Sequence, residues 1–138
     1  MAHTKYQVEV LTPEGKVFDE EVEMISTRTT IGSIGLLAGH QPILSMLEPA
    51  ELRLYKTESD VVRFAQAEGY LQVAGGRALI LVEEAIPPDE LDAGEIRERL
   101  EQARKEAERA DEDSEERRRA ERDIERYEVF EKIAGGGS

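Results

Sequence analysis

The chain has 138 residues, enough for one domain with its own core plus an appendage, and too few for two large domains. It contains no cysteine, which excludes disulfides and thiolate metal sites, and its net charge of -13 argues against nucleic acid as a main partner. Charged residues make up 36% of it, above the roughly 25% of an ordinary globular domain, so some element is solvated and charge-laced.

There is no run of about 18 apolar residues, and MAHTKYQVEV lacks the apolar stretch of a secretory signal. Neither direct membrane insertion nor export is expected, and the chain should be soluble where it is made.

Tyr6 to Leu11 and Lys16 to Asp19 read as two strands joined by a turn over Thr12 to Gly15, which supplies Pro and Gly. A third strand is predicted from about Glu21 to Thr29, with Val22, Met24 and Ser26 on one face and Glu21, Glu23 and Ile25 on the other. Ile31 to Leu44 (IGSIGLLAGHQPIL) reads as a shaped loop, because three glycines and Pro42 interrupt an apolar run. Strands are then predicted at Glu51 to Lys56, Val61 to Ala67, Tyr70 to Ala74 and Arg77 to Val82, the last two joined by Gly75-Gly76. Short strands at this spacing indicate an antiparallel β-sandwich or barrel over residues 1–86, which Pro87-Pro88 ends.

From Asp89 onward there are 18 acidic and 11 basic residues and no strand-like run. Asp92 with Glu95 suits an N-cap and capping box, after which Ile96, Leu100, Ala103, Ala107 and Ala110 recur at helical spacing. A second seam, Ala120, Ile124, Tyr127 and Phe130, runs within about Ser114 to Ile133. The predicted fold class is mainly β plus α, a sandwich followed by an antiparallel two-helix hairpin. The boundaries are 1–86 for the sandwich, 87–91 for a linker, 92–133 for the hairpin and 134–138 for a flexible tail or cloning scar. Alanines bury little area, so the hairpin should be weakly held and able to come apart or dock elsewhere.

Reactive groups are few. No His-x-x-x-His, GxxxxGK[ST] or G-x-S-x-G motif occurs, and His40 has no nucleophile or carboxylate near it in sequence. The apolar residues between Gly32 and Gly39, and the missing lysine, make a phosphate cradle improbable. The carboxylates from Asp89 to Glu116 lack the Asp-x-Asp-x-Asp-Gly spacing of a cation loop and read as a solvated face with pairs such as Glu101 with Lys105. No catalytic residue, metal or cofactor is expected. Arg117, Arg118, Arg119, Arg122 and Arg126 make the window 117–126 basic by +2, and arginine forks suit an acidic protein partner. Local pairing with Glu115, Glu116, Glu121 and Asp123 is the competing account.

The segment GSIGLLAGHQPIL (Gly32 to Leu44), PAELRL (Pro49 to Leu54), EGYLQV (Glu68 to Val73) and the acidic helical hairpin together resemble the epsilon subunit of F-type ATP synthases. The resemblance implies a non-catalytic rotor subunit whose sandwich binds the gamma subunit and the c-ring. It implies that the glycine-rich segment, through Gly32, Ser33, Gly35, Gly39, His40, Gln41 and Pro42, faces the ring. It implies a hairpin that meets the alpha and beta subunits, its arginines on an acidic segment of the catalytic head, and restrains ATP hydrolysis. The location implied is peripheral, on the cytoplasmic face of a bacterial membrane or the stromal face of the thylakoid.

Two departures from the family pattern stand out. Ser33 occupies the place of a glutamate found in many relatives. Of the [IL]DxxRA motif that binds ATP in some relatives, only Leu91 and Asp92 match; Glu95 takes the arginine position, and Arg97 lies about 200° further round the helix. ATP binding through Asp92 is therefore not expected. A free-standing ligand-binding sandwich with an oligomerising tail, and a Ser33-His40 enzyme, are the alternatives from other classes.

Overall fold

A computed structural model describes residues 3–136; the last two residues of the expected tail, Gly137 and Ser138, lie outside the described residues. The strands are β1 (Tyr6–Thr12), β2 (Gly15–Val22), β3 (Met24–Thr29), β4 (Gly32–Leu37), β5 (Ile43–Leu47), β6 (Ala50–Tyr55), β7 (Val61–Gln66), β8 (Gly69–Ala74), β9 (Arg77–Val82) and β10 (Ala85–Ile86). A short 3-10 turn (Pro88–Glu90) then precedes helices α1 (Ala93–Arg109) and α2 (Glu115–Ala134). The chain divides into two compact units, one ending at Pro87 and one beginning at Pro88.

The strands follow the order β10-β7-β6-β3-β5-β8-β9-β1-β2, with β4 paired to β3 alone. β3 and β5 share a single pair, Thr29 with Leu47, so the sheet folds over there into two layers. Every pairing is antiparallel except β1 with β9, which is parallel. Alternation in β1, β8 and β9 sends Val8, Val10, Leu71, Val73 and Ile80 inward, where Ile25, Leu52 and Leu54 of the other layer meet them. The one fully buried amide is satisfied: Gln66 accepts from the Thr27 hydroxyl at 2.8 Å and donates to the Glu48 carbonyl at 2.7 Å.

The first hairpin's end and the segment Ile31 to Leu44 differ from the sequence expectation, and β5 and β10 are not among the expected strands. The break after the first hairpin falls at Glu23, later than the expected Glu20. Val22 still pairs with Tyr6 in one layer, whereas Met24 pairs with Tyr55 in the other, so Glu23 is the corner where the chain changes layers. The corner shifts the inward phase. Ile25, Thr27 and Thr29 are buried, while Met24 and Ser26, expected inward with Val22, are only half-buried. The expected loop from Ile31 to Leu44 is in large part strand. Gly32–Leu37 pairs along β3 over its whole length, which satisfies its backbone groups, and Ile43 already pairs with Val73. Only Ile31 and residues 38–42 lie outside the ladders. At Gly69 an added Cβ would sit 1.9 Å from the Leu81 carbonyl oxygen, so the close approach of β8 to β9 requires glycine.

In the helical unit, Asp92 caps α1 by accepting from the Gly94 and Glu95 amides at 3.0 and 3.1 Å. The reciprocal half of the expected capping box is not made, because Glu95 accepts from Arg99 at 2.6 Å instead. Ser114 caps α2 through the Arg117 amide. Ile96, Leu100, Ala103 and Ala107 of α1 are buried, as are Ala120, Tyr127, Phe130 and Ile133 of α2. The seam is graded: its bulky side chains lie at the start of α1 and the end of α2, and alanines occupy the end next to the turn. Glu101 pairs with Arg104 at 3.2 Å rather than with Lys105.

Candidate functional site

β3 and β4 form a hairpin whose register runs from Met24 opposite Leu37 to Thr29 opposite Gly32. At one end, Thr30 and Ile31 make the tip. At the other, residues 38–42 lead into β5. The strand between them spans about 17 Å, so the residues read together from the sequence fall into two groups. Gly32 and Ser33 lie at the tip, Gly39, His40, Gln41 and Pro42 lie at the far end, and Gly35 sits between. Ser33 and His40 therefore lie toward opposite ends of β4, an arrangement that does not favour the Ser33-His40 enzyme.

Each group has its own chemistry. At the tip, Ile31 is 93% exposed, and Ser33 faces Arg28, which pairs with Glu48 at 3.4 Å. Across the far turn, Gly39 to Pro42 are all exposed. His40 Nδ1 lies 3.0 Å from the Gln41 carbonyl oxygen, so the tautomer protonated there donates to it. Gly39 has φ +81°, which only glycine adopts cheaply.

A further surface escaped the sequence reading. On the outer face of the layer formed by β5, β8, β9 and β1, Met46 pairs with Tyr70, Tyr70 with Leu81, and Leu81 with Leu11. Leu44, Met46, Tyr70 and Leu81 are 45% to 72% exposed, and Leu11 is half-buried. This is a continuous apolar row across four strands, with a groove along it lined by Leu11, Pro13, Tyr70 and Leu81. The Thr30 amide donates to the Met46 carbonyl at 3.1 Å, so the row begins beside the Ile31 tip. An exposed apolar row is a candidate for burial against another protein. The signal in sequence is that Leu44, Met46 and Leu81 add apolar residues on the outward phase of strands whose inward phase is already apolar.

The arginines do not form one patch. Arg118 and Arg122 both bind Glu115, at 3.3 and 3.2 Å, and Arg122 first and Arg118 second hold that carboxyl below its usual range. Arg118 also donates to the Asp113 carbonyl. Arg126 has a side chain only 13% exposed, lies 4.0 Å from Asp123 and stacks over the Tyr127 ring. Arg117 is half-buried, and Arg119 is exposed, with no ion-pair partner among the described residues. Local pairing thus engages three of the five. Asp92 is occupied by its capping bonds, and Arg97 pairs with Glu131 at 3.6 Å. Among the described residues no cluster of three or more His, Asp or Glu could hold a metal ion, and no helix is long and apolar enough to cross a membrane.

Comparison with known proteins gives one consistent family. A family model described as the β-sandwich domain of the ATP synthase delta/epsilon chain matches residues 5–88. An ATP synthase epsilon chain from Persephonella marina is 37% identical over 131 residues, 94% of this chain and 96% of that one. Another from Rubrobacter xylanophilus is 34% identical over 85% of this chain and 80% of its own length. Among solved structures, a chain of the Euglena gracilis mitochondrial ATP synthase, determined as its OSCP/F1/c-ring assembly, is similar at a TM-score of 0.76 and 26% identity, covering 92% of this chain and 79% of that one. A chain from the central stalk and c-ring of the Tetrahymena thermophila enzyme shares the fold, at a TM-score of 0.60 and 16% identity.

Proposed function

Because the chain belongs to the epsilon-chain family of F-type ATP synthases, we propose that it is a non-catalytic subunit of the rotor. It links the gamma subunit to the c-ring during proton-driven ATP synthesis, peripheral to the membrane, on the cytoplasmic face in a bacterium. The observation that carries this reading is the apolar row Leu11-Leu81-Tyr70-Met46 on the outside of the sandwich. Such a row is costly to leave in water and gains by burial against a stalk protein. The two ends of β4 present the ring contacts: Ser33 beside the Ile31 tip, and the Gly39–Pro42 turn. Ser33 carries no charge, so shape and apolar contact dominate there.

The helical hairpin is the regulatory half. Its alanine-rich end adds little apolar burial and most of its ion pairs are exposed, which suits an element that leaves one packing for another. Arg119, together with Arg118 and Arg122 once released from Glu115, supplies the basic face for an acidic segment of the alpha and beta subunits. Nucleotide binding through Asp92 is not part of the proposal, since the carboxylate already caps α1.

Tyr70→Glu with Leu81→Glu tests the docking half. Both side chains point outward, so the circular dichroism spectrum should be retained while co-purification with the central stalk is lost; retained assembly would refute the row as the interface. Truncation after Pro88 tests the regulatory half. Assembly should survive and ATP hydrolysis by the complex should rise, and unchanged hydrolysis would remove the inhibitory role.

A further inference from the structure

β4 is lightly anchored in the sandwich. It pairs with β3 alone, two of its six residues are glycine, and Leu36 is its one buried residue. Yet it carries both ends of the docking hairpin, and the chain leaves the ladder at Leu37, one residue after that anchor. From β1, in the opposite layer, Tyr6 reaches across the core with its ring 7% exposed, and its hydroxyl donates to the Leu36 carbonyl oxygen at 2.5 Å. A buried tyrosine hydroxyl without a partner is costly, so this bond fixes both the ring and the carbonyl.

We propose that Tyr6 is a positioning residue: it latches β4 to the far layer and so holds the Ser33 end and the Gly39–Pro42 turn in the geometry used for docking. The inference rests on the reading of those two ends as contacts to the ring. The phenol must stay protonated to donate. Burial pushes its pKa up to about 12, against a smaller opposing effect of a backbone hydrogen bond from Ile25, so the donor is present throughout the working pH range.

Tyr6→Phe in the full chain keeps the ring and removes only the hydroxyl. Amide exchange at Leu36, Leu37 and Ala38 should accelerate about fivefold, the loss expected for one buried hydrogen bond, with Leu71 to Val73 unchanged. Affinity for a central-stalk/c-ring assembly purified without this chain should fall by a similar factor. Unchanged exchange at Leu36 to Ala38 overturns the latch. Faster exchange with undiminished affinity overturns its positioning role. Gly39→Val, titrated in parallel, separates the two ideas: if it too binds at full affinity the docking reading of the hairpin has failed, and if it weakens while Tyr6→Phe does not, only the role of Tyr6 has failed.

Discussion

In the sandwich, Val8, Val10, Ile25, Leu52, Leu71 and Ile80 are completely buried, and they come from strands distributed over both layers. In the hairpin, the seam thins from Phe130 and Leu100 at one end to Ala107 and Ala120 at the other, and ion pairs such as Arg104 with Glu128 lie in solvent. A buried Leu or Ile contributes about 1.5 to 3 kcal/mol, against about 0.8 for a methyl group, and exposed ion pairs add little. The difference teaches that apolar burial holds one unit more firmly than the other, within a chain whose two units are both acidic.

The sharpest way to break that contrast is a pair of cavities. Leu71→Ala should cost the sandwich about 3 to 5 kcal/mol, and Phe130→Ala should cost the hairpin a similar amount. Denaturant unfolding followed by the helical far-ultraviolet signal should then separate from unfolding followed by the sandwich tyrosines in Phe130→Ala. Coincident transitions would show that the two units unfold as one.

Alkaline unfolding probes the sandwich from the inside. Burial raises the pKa of Tyr6 in the folded chain to about 12 from its ordinary value of 10.0, so its contribution is fully present below pH 10 and lost as pH rises toward 12. The loss should be on the order of 2 kcal/mol, and Tyr6→Phe should flatten that limb of the stability profile. Ala103→Leu comes next. Ala103 is buried in the seam, so overpacking by a larger side chain should cost about 1 to 3 kcal/mol; a higher melting temperature would mean a loose seam. The smallest effect belongs to Glu115→Gln. Its carboxyl is held low by Arg122 and Arg118, so what it contributes is present at neutral pH and lost only as pH falls through that lowered value. Both partners are exposed, and no shift in melting temperature should be detectable at neutral pH.

Much of the fold was legible in the chain. Alternation located Tyr6–Thr12, Val61–Gln66 and Arg77–Val82, and the spacing Ile96, Leu100, Ala103, Ala107 marked the buried face of α1. What was not legible has a physical cause in each case. The corner at Glu23 depends on which strand each half of the segment pairs with, and pairing over 30 residues leaves no local trace. Gly32 and Gly35 suggested a loop because glycine disfavours strands, yet pairing with β3 outweighed that preference. The apolar row was hidden for a related reason. Met46, Tyr70, Leu81 and Leu11 are scattered in sequence and become neighbours only through register. The candidate site was therefore half visible: the glycine-rich segment stood out in the sequence, and its division into two ends and the apolar row beside it did not.

The parallel pairing of β1 with β9 sets Gln7 beside Arg77, the first strand against the ninth. A ribosome releases β1 and its hairpin partner β2 long before β9 exists, so the other edge of β1 stays open meanwhile. The sandwich therefore closes late and slowly, with that edge of β1 unpaired until about the time the helices emerge, whereas the helical hairpin forms from neighbours in sequence and needs no such wait. Newly made chains should thus be most exposed to aggregation in the interval before β9 arrives, and a chaperone that shields the Tyr6–Thr12 strand would act in that window.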